Sequence, residues 1–252
     1  MKVSIIIATK NCKNLLSRCL DSIIKQTNFE NVEILISDNN SIDGTLDIIY
    51  KYKDFIYWYQ SENDLGIADA WNKAIKHASG DWLFFMGADD MLYKNDTIEN
   101  LIPILSKVSL ENKIAIFSVY QSNPVKPIKS KILRAFWDKK HHFNIGMNLS
   151  HQGIFHRKIL FDDGLVFNIN LKYASDYELL LRVLKNTEPY VYKNLICANQ
   201  EIGGLSSRFD LNYISYLEFN EEIISFHCAT QPGRRPNANI TVNISVGIPI
   251  AR

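Results

Sequence analysis

Near the amino terminus, Val3-Ser4-Ile5-Ile6-Ile7-Ala8-Thr9 forms a β-branched run that ends in the polar group Thr9-Lys10-Asn11. It reads as a fully buried strand followed by a turn. Leu15, Leu16, Cys19, Leu20, Ile23 and Ile24 then recur at the spacing of the inner stripe of an amphipathic helix, ending near Gln26-Thr27. Val32-Glu33-Ile34-Leu35-Ile36-Ser37-Asp38 is a second apolar run, closed by Asn39-Asn40-Ser41-Ile42-Asp43-Gly44-Thr45. Strand, helix, strand in this order is a βαβ unit, and its two strands must be parallel.

The alternation continues. A helix is predicted from Thr45 to about Lys53, and Ile56-Tyr57-Trp58-Tyr59-Gln60-Ser61 reads as a third strand. Trp71, Ala74, Ile75 and Ala78 sit at helical spacing within residues 69–78, with Gly80 placed as a C-terminal stop. Trp82 to Met86 is too short for a typical helix and too aromatic for a loop, so it reads as a buried strand. Repeated βα units of this kind predict an α/β fold with a mostly parallel, Rossmann-like central sheet and helices on both faces. Ligands of such sheets bind beyond the carboxyl ends of the strands. Thr9, Asp38 and the pair Asp89-Asp90 all stand at those ends and should converge on one crevice.

Two adjacent carboxylates at a strand end repel each other unless a positive charge lies beside them. A divalent cation with oxygen ligands answers that need, and phosphates usually complete its shell. The competing reading is an Asp-Asp turn that caps the segment beginning near Asn95-Asp96-Thr97. Convergence with Thr9 and Asp38 on one rim favours the metal.

Beyond Asp96 the pattern changes. Thr97 to Lys107 is predicted helical with a kink at Pro103, and Ile114 to Tyr120 is another strand. From Pro124 to about Phe143 the chain is basic and aromatic, including Lys126, Lys129, Lys131, Arg134, Phe136, Trp137, Lys139, Lys140, His141 and His142. It reads either as a solvated connection or as a surface that meets an anionic acceptor or a membrane interface. Neighbouring His141 and His142 would point apart in a strand and make a poor chelate. Ser175-Asp176 precedes Tyr177, Leu180, Leu181 and Leu184, a helical stripe. Asp176 is therefore either an N-cap or, if Ser175 caps instead, a free carboxylate. Tyr190 to Gln200 reads as a last strand, followed by the turn Gly203-Gly204-Leu205-Ser206-Ser207-Arg208. Paired glycines beside an Arg suit a diphosphate, although a plain loop fits as well. Asn212 to about Ser225 is predicted as a closing helix, and residues 226–252 form a tail with no pattern tied to the site.

The 252 residues fall between one large α/β domain and two small ones, and the net charge of +1 gives no global reason to invoke nucleic acid. Cys12, Cys19, Cys197 and Cys228 contain no C-x-x-C pair and read as reduced thiols. No signal-peptide core opens the sequence, and no stretch approaches the roughly 18–20 apolar residues of a membrane span. A cytoplasmic protein, peripheral at the inner face of the cell membrane if it meets a membrane at all, is expected.

The order of these pieces resembles the family-2 glycosyltransferases of the GT-A fold, closest to bacterial members that assemble surface polysaccharides. The likeness runs from Lys2 to about Ser207. It rests on the opening strand, on Ser37 to Thr45, on Asn63-Asp64-Leu65-Gly66-Ile67-Ala68-Asp69-Ala70-Trp71-Asn72-Lys73, and on Met86-Gly87-Ala88-Asp89-Asp90. Later stretches at His151-Gln152, Ser175 to Arg182 and Gly203 to Ser206 follow in the same order. The resemblance implies one catalytic domain over residues 1–225, with a nucleotide-sugar half (1–120) and an acceptor and base half (121–225). It implies donor contacts from Thr9, Asp38, Asn39, Asp69, Asn72, Lys73, Asp89, Gly203, Gly204 and Arg208. It further implies Mn²⁺ or Mg²⁺ on Asp89 and Asp90, Asp176 as the base, and His151, Gln152 and Trp137 on the acceptor side. The activity implied is inverting transfer of a hexosyl or N-acetylhexosaminyl group from a UDP-sugar to a hydroxyl of a glycan or lipid-linked oligosaccharide. Two departures matter, because many relatives carry Asp where this chain has Asn39 and Gly87. A non-catalytic partner subunit that binds nucleotide-sugar or glycan is thus an alternative. A sugar nucleotidyltransferase is a lesser one, since Lys10-Asn11-Cys12-Lys13-Asn14 lacks the glycines its phosphate loop would need.

Overall fold

A computed structural model describes residues 1–123, 130–139, 147, 149–172 and 174–201. The predicted turn at Gly203, Gly204 and Arg208, the histidines His141 and His142, the closing helix and the tail lie outside the described residues.

The first strand, β1 (Val3–Thr9), feeds α1 (Lys13–Ile24), whose buried Leu16, Cys19, Leu20 and Ile23 form the predicted inner stripe. Next come β2 (Val32–Asp38), α2 (Thr45–Lys51), β3 (Trp58–Ser61), α3 (Ile67–Ile75) and β4 (Trp82–Gly87). These four strands lie in the order β3-β2-β1-β4, all parallel, as right-handed βα crossovers require. Every side chain of β2 and nearly every one of β1 and β4 is buried, because helices cover both faces.

The sheet then becomes mixed. After the short β5 (Met91–Leu92) come α4 (Thr97–Leu105), which runs through Pro103, β6 (Ile114–Ser122) and β7 (Lys131–Leu133). A single 3-10 turn (His151–Gly153) leads into β8 (Ile154–Arg157) and the short helix α5 (Ile159–Asp162). The helix α6 (Ser175–Leu184) and the strand β9 (Tyr190–Glu201) end the described chain. β8 inserts antiparallel between β4 and β6, β9 runs parallel to β6, and β5 and β7 add antiparallel edges to β9 and β6.

Gly80 does not stop the preceding helix as expected, since α3 already ends at Ile75. It is required by close packing instead. A Cβ there would stand 2.6 Å from Ser4 Oγ and 2.9 Å from the Lys2 carbonyl oxygen. Its N–H donates to Ser4 Oγ and to Glu33 Oε1, a buried carboxylate that also accepts from Ser4 and Ser79. This network ties the amino-terminal ends of β1, β2 and β4, at the opposite edge from the polar rim.

Cys12, Cys19 and Cys197 are buried free thiols, and burial pushes each pKa up, Cys12 to about 11 and Cys197 to about 12. Among the described residues, no helix is long and apolar enough to cross a membrane.

Candidate active site

Register alone brings the predicted rim together. Thr9 pairs with Asp38 across β1 and β2, and Ala8 pairs with Gly87 across β1 and β4. Thr9, Asp38 and the Ala88-Asp89-Asp90 turn therefore leave the sheet side by side.

Asp38 is fully buried, and four donors converge on it. Thr9 Oγ1 (2.8 Å) and Ser41 Oγ (2.6 Å) donate to Oδ1, and the Ser41 N–H (2.9 Å) and Ser61 Oγ (2.7 Å) to Oδ2. Such an arrangement uses the acceptor capacity of the carboxylate on the ends of β1 and β3 and on its own loop. The loop is laced further by Asn11 N–H to Ser41 Oγ, Cys12 N–H to Thr45 Oγ1 and Lys13 N–H to Asp43 Oδ2. Asn39, one residue on, turns outward from this scaffold and donates to Asp64 Oδ1 at 2.6 Å. The same oxygen accepts from the Gly66 N–H, and burial raises the pKa of Asp64.

The segment before α3 is also held by its own side chains. Lys73 Nζ reaches Glu62 Oε1 (2.9 Å), Asp69 Oδ2 (3.2 Å) and the Asn63 carbonyl (3.0 Å), and its pKa rises through the Glu62 contact. Asp69 Oδ2 also accepts from the Leu65 N–H. Asn72 faces the other way. Its amide donates to the Phe167 carbonyl and accepts from the Phe167 N–H, joining the two halves of the chain.

The acidic turn has an unusual centre. A Cβ on Gly87 would stand 2.5 Å from Asp89 Oδ1 and 2.8 Å from Asp90 Oδ2, so the two carboxylates occupy the space a side chain at 87 would take. Asp90 is 2% exposed and accepts from the N–H groups of Gly87 (3.2 Å) and Glu201 (3.3 Å) and from the Gln152 side chain. Burial, then the charge of Asp89, pushes its pKa up to about 7. Arg18 braces the turn from α1, donating to the Asp89 carbonyl at 2.9 Å and pairing with Glu201 at 2.6 Å. Two converging carboxylates, one buried and reluctant to ionise alone, fit a divalent cation. Among the described residues no third His, Cys, Asp or Glu joins them.

Asp176 lies in the first turn of α6, where the helix dipole favours a carboxylate. Neither of the two caps expected here, Asp176 or Ser175, is observed. The N-cap is Ala174, no side chain caps the start, and Ser175 is buried. Asp176 is partly exposed, and its Oδ1 accepts from the adjoining Tyr177 N–H. His151 is buried against Phe85 and Trp71, and Trp137 donates to the Glu188 carboxylate while packing on the cluster around Tyr177 and Leu180. Sequence reasoning missed Asp64, Arg18 and Glu201. Asp64 belongs to a quoted motif, but nothing in the sequence signals that α1 and the end of β9 brace the acidic turn.

The class this sheet and its helices define is the GT-A glycosyltransferase fold. The description "Glycosyl transferase family 2" matches residues 4–162, and the chain belongs to that family. It is 30% identical over 209 residues to a PGL/p-HBAD biosynthesis glycosyltransferase of Mycobacterium bovis, covering 81% of this chain and 78% of that one. It is 32% identical over 185 residues to the UDP-Glc:alpha-D-GlcNAc-diphosphoundecaprenol beta-1,3-glucosyltransferase WfaP of Escherichia coli, covering 72% and 70%. Its fold is similar to S. aureus TarS in complex with UDP-GlcNAc, with a TM-score of 0.67 at 20% identity over 86% of this chain and 66% of that one. It is likewise similar to the mannosyltransferase PcManGT of Pyrobaculum calidifontis in complex with GDP-Man and Mn²⁺, with a TM-score of 0.64 at 16% identity over 93% and 66%. The GT-A fold expected from the sequence is therefore the fold observed.

Proposed function

We propose that this chain transfers a sugar, with inversion, from a UDP-sugar to a hydroxyl of a glycan or lipid-linked acceptor in the synthesis of a bacterial surface polysaccharide or glycolipid. The observation that carries this reading is the convergence of Asp89 and Asp90 on Gly87, beside the rim built by Thr9 and Asp38. The names of WfaP and of the TarS complex, both with uridine nucleotides, support the choice of donor.

In this reading Asp38 acts through the loop it fixes, and Asn39 with Asp64 presents acceptors and an amide to the base and ribose. Lys73, Asp69 and their lacing set the shape of the wall on the sugar side. Asp89 and Asp90 would hold Mn²⁺ or Mg²⁺, which when bound supplies positive charge for the leaving diphosphate. Gly203, Gly204 and Arg208 are proposed to meet that diphosphate, and Trp137 and Gln152 to border the acceptor. Asp176 takes the proton from the acceptor hydroxyl as its oxygen bonds to the anomeric carbon. The bond from that carbon to the diphosphate breaks on the opposite face, and UDP leaves with the bonding electrons. Concerted transfer lets a carboxylate serve, and a positioned base contributes about 10²–10⁴ in rate.

In this reading position 87 is room for the two carboxylates, and the chain is an enzyme in spite of Gly87. The test is to measure thermal stabilisation by a panel of nucleotide-sugars with Mn²⁺, then UDP release from the best binder. Stabilisation and slow UDP release specific to UDP-sugars are expected. Stabilisation by GDP-sugars alone would refute the donor assignment, and binding without any release would refute transferase activity.

A further inference from the structure

One polar line along α1 holds the acidic turn and the chain that follows it. Arg18, Ser22 and Gln26 recur every four residues along the helix and just past its end, so they lie on one side. Gln26 donates from Nε2 to the Lys94 carbonyl at 2.7 Å and accepts at Oε1 from the Ile98 N–H at 2.9 Å. Ser22 Oγ accepts from the Leu92 N–H at 3.0 Å. Arg18 completes the line at the turn itself, where one nitrogen, Nη2, lies 2.9 Å from the Asp89 carbonyl oxygen and 2.6 Å from Glu201 Oε2. Gln26 and Ser22 satisfy backbone groups alone, whereas Arg18 also ties the turn to the end of β9.

The two carboxylates of the turn are not held alike. Asp90 accepts at Oδ2 from the Gly87 N–H and at Oδ1 from the Glu201 N–H, and its own N–H closes the turn on the Gly87 carbonyl at 3.1 Å. The Asp89 carboxylate accepts no hydrogen bond among the described residues, so its place follows from its backbone, and Arg18 is the side chain that grips that backbone. Glu201 meets Asp90 with its N–H and Arg18 with its carboxylate. Arg18, Asp89, Asp90 and Glu201 thus form a closed ring of contacts that fixes one acidic residue relative to the other. Like charges this close move apart unless the surrounding structure holds them. The ion pair itself adds little stability, because its side chains are 41% and 25% exposed and solvent screens them. Its effect is on position.

We propose that Arg18, with Glu201 as its counter-ion, is a positioning residue for the divalent cation, pinning the Asp89 backbone so that the Asp89 carboxylate stays converged with that of Asp90. This rests on the acidic turn as the metal site, and makes its grip depend on α1 and on the end of β9.

Calorimetric titration of the full chain with UDP, once with Mn²⁺ and once with chelator, gives the metal-dependent gain in affinity. Arg18→Met keeps the aliphatic stem and removes the guanidinium. The gain should shrink about tenfold, while UDP affinity in chelator stays within about twofold. Charge counting alone predicts the opposite sign, since deleting a cation beside a cation site tightens that site. A gain that is unchanged or larger in Arg18→Met would overturn the proposal. Arg18→Lys still offers one cationic nitrogen, as Nη2 does, and should keep most of the gain; a loss equal to that of Arg18→Met would overturn it too. Combining Arg18→Met with Glu201→Ala should cost no more than the larger single loss, because the two side chains act as one link, and losses that multiply would remove Glu201 from the role. In the metal-free protein, amide exchange over residues 88–92 should quicken about tenfold in Arg18→Met while that of β1 is unchanged, and unaltered exchange at 88–92 would contradict the pinning. Should the wild-type chain bind UDP equally with and without Mn²⁺, the metal reading of the turn fails and this inference with it. That outcome is separable from failure of Arg18 alone, in which wild type shows the gain and Arg18→Met retains it.

Discussion

Asn72 holds Phe167 by both of its backbone groups, donating to the carbonyl at 2.9 Å and accepting from the N–H at 2.8 Å, across 95 residues of sequence. The side chain sits in the motif that the family resemblance assigns to the donor, yet its observed partner is the loop ahead of α6. Phe167 itself packs at 5.0 Å from Phe85 of β4 and 4.9 Å from Trp71 of α3. α3, β4 and the loop that leads into the helix carrying Asp176 are thus one packed unit.

Asn72→Ala should therefore destabilise the fold by about 1–3 kcal/mol, because it strands two backbone groups of a part-buried loop. Chemical denaturation measures this. A change of less than about 0.5 kcal/mol would show that solvent satisfies Phe167 and that the link is incidental.

Gly87→Ala introduces a Cβ where Asp89 Oδ1 and Asp90 Oδ2 now converge, at 2.5 and 2.8 Å. At least one carboxylate must shift from its present place, and the affinity for UDP with Mn²⁺ should fall about tenfold while the fold survives. Calorimetric titration of wild type and variant decides it, and equal affinities would show that the convergence is not what binds the metal.

Much of this arrangement was legible in the sequence. β1, β2 and β4 are long apolar runs buried on both faces, so periodicity and flanking turns suffice to locate them. The Thr9, Asp38 and Asp89 rim follows from topology alone. β8 was not legible, because its four residues include the polar His156, which only the neighbouring Phe85 and Phe161 rings make at home inside the core. β5, of two residues, exists only through its pairing with β9. The sequence places Asp38 at the rim but cannot show that Thr9, Ser41 and Ser61 saturate it, since those donors come from three separate segments.

Metal binding should depend on pH through Asp90. Its carboxyl is pushed up to about 7 in the folded chain, so below that value a proton competes with the cation. The affinity for Mn²⁺ in the presence of UDP should fall about tenfold per unit as pH drops from 7 to 5, and level off above about 8. The sign for the metal-free protein is opposite. The native state binds the proton more tightly than the unfolded chain, so stability should decline as pH rises from about 4 to about 7. Titration calorimetry and thermal melts across pH 5–8 check both, and a flat metal affinity would contradict the role of Asp90.

The most direct measurement is the turnover of Asp176→Asn beside its affinity for UDP with Mn²⁺. A base at the start of α6, separate from the acidic turn, predicts that turnover falls at least about a hundredfold while nucleotide affinity stays within about twofold. Turnover that survives the substitution, or nucleotide binding lost together with it, would contradict the division of labour between Asp176 and the Asp89-Asp90 pair.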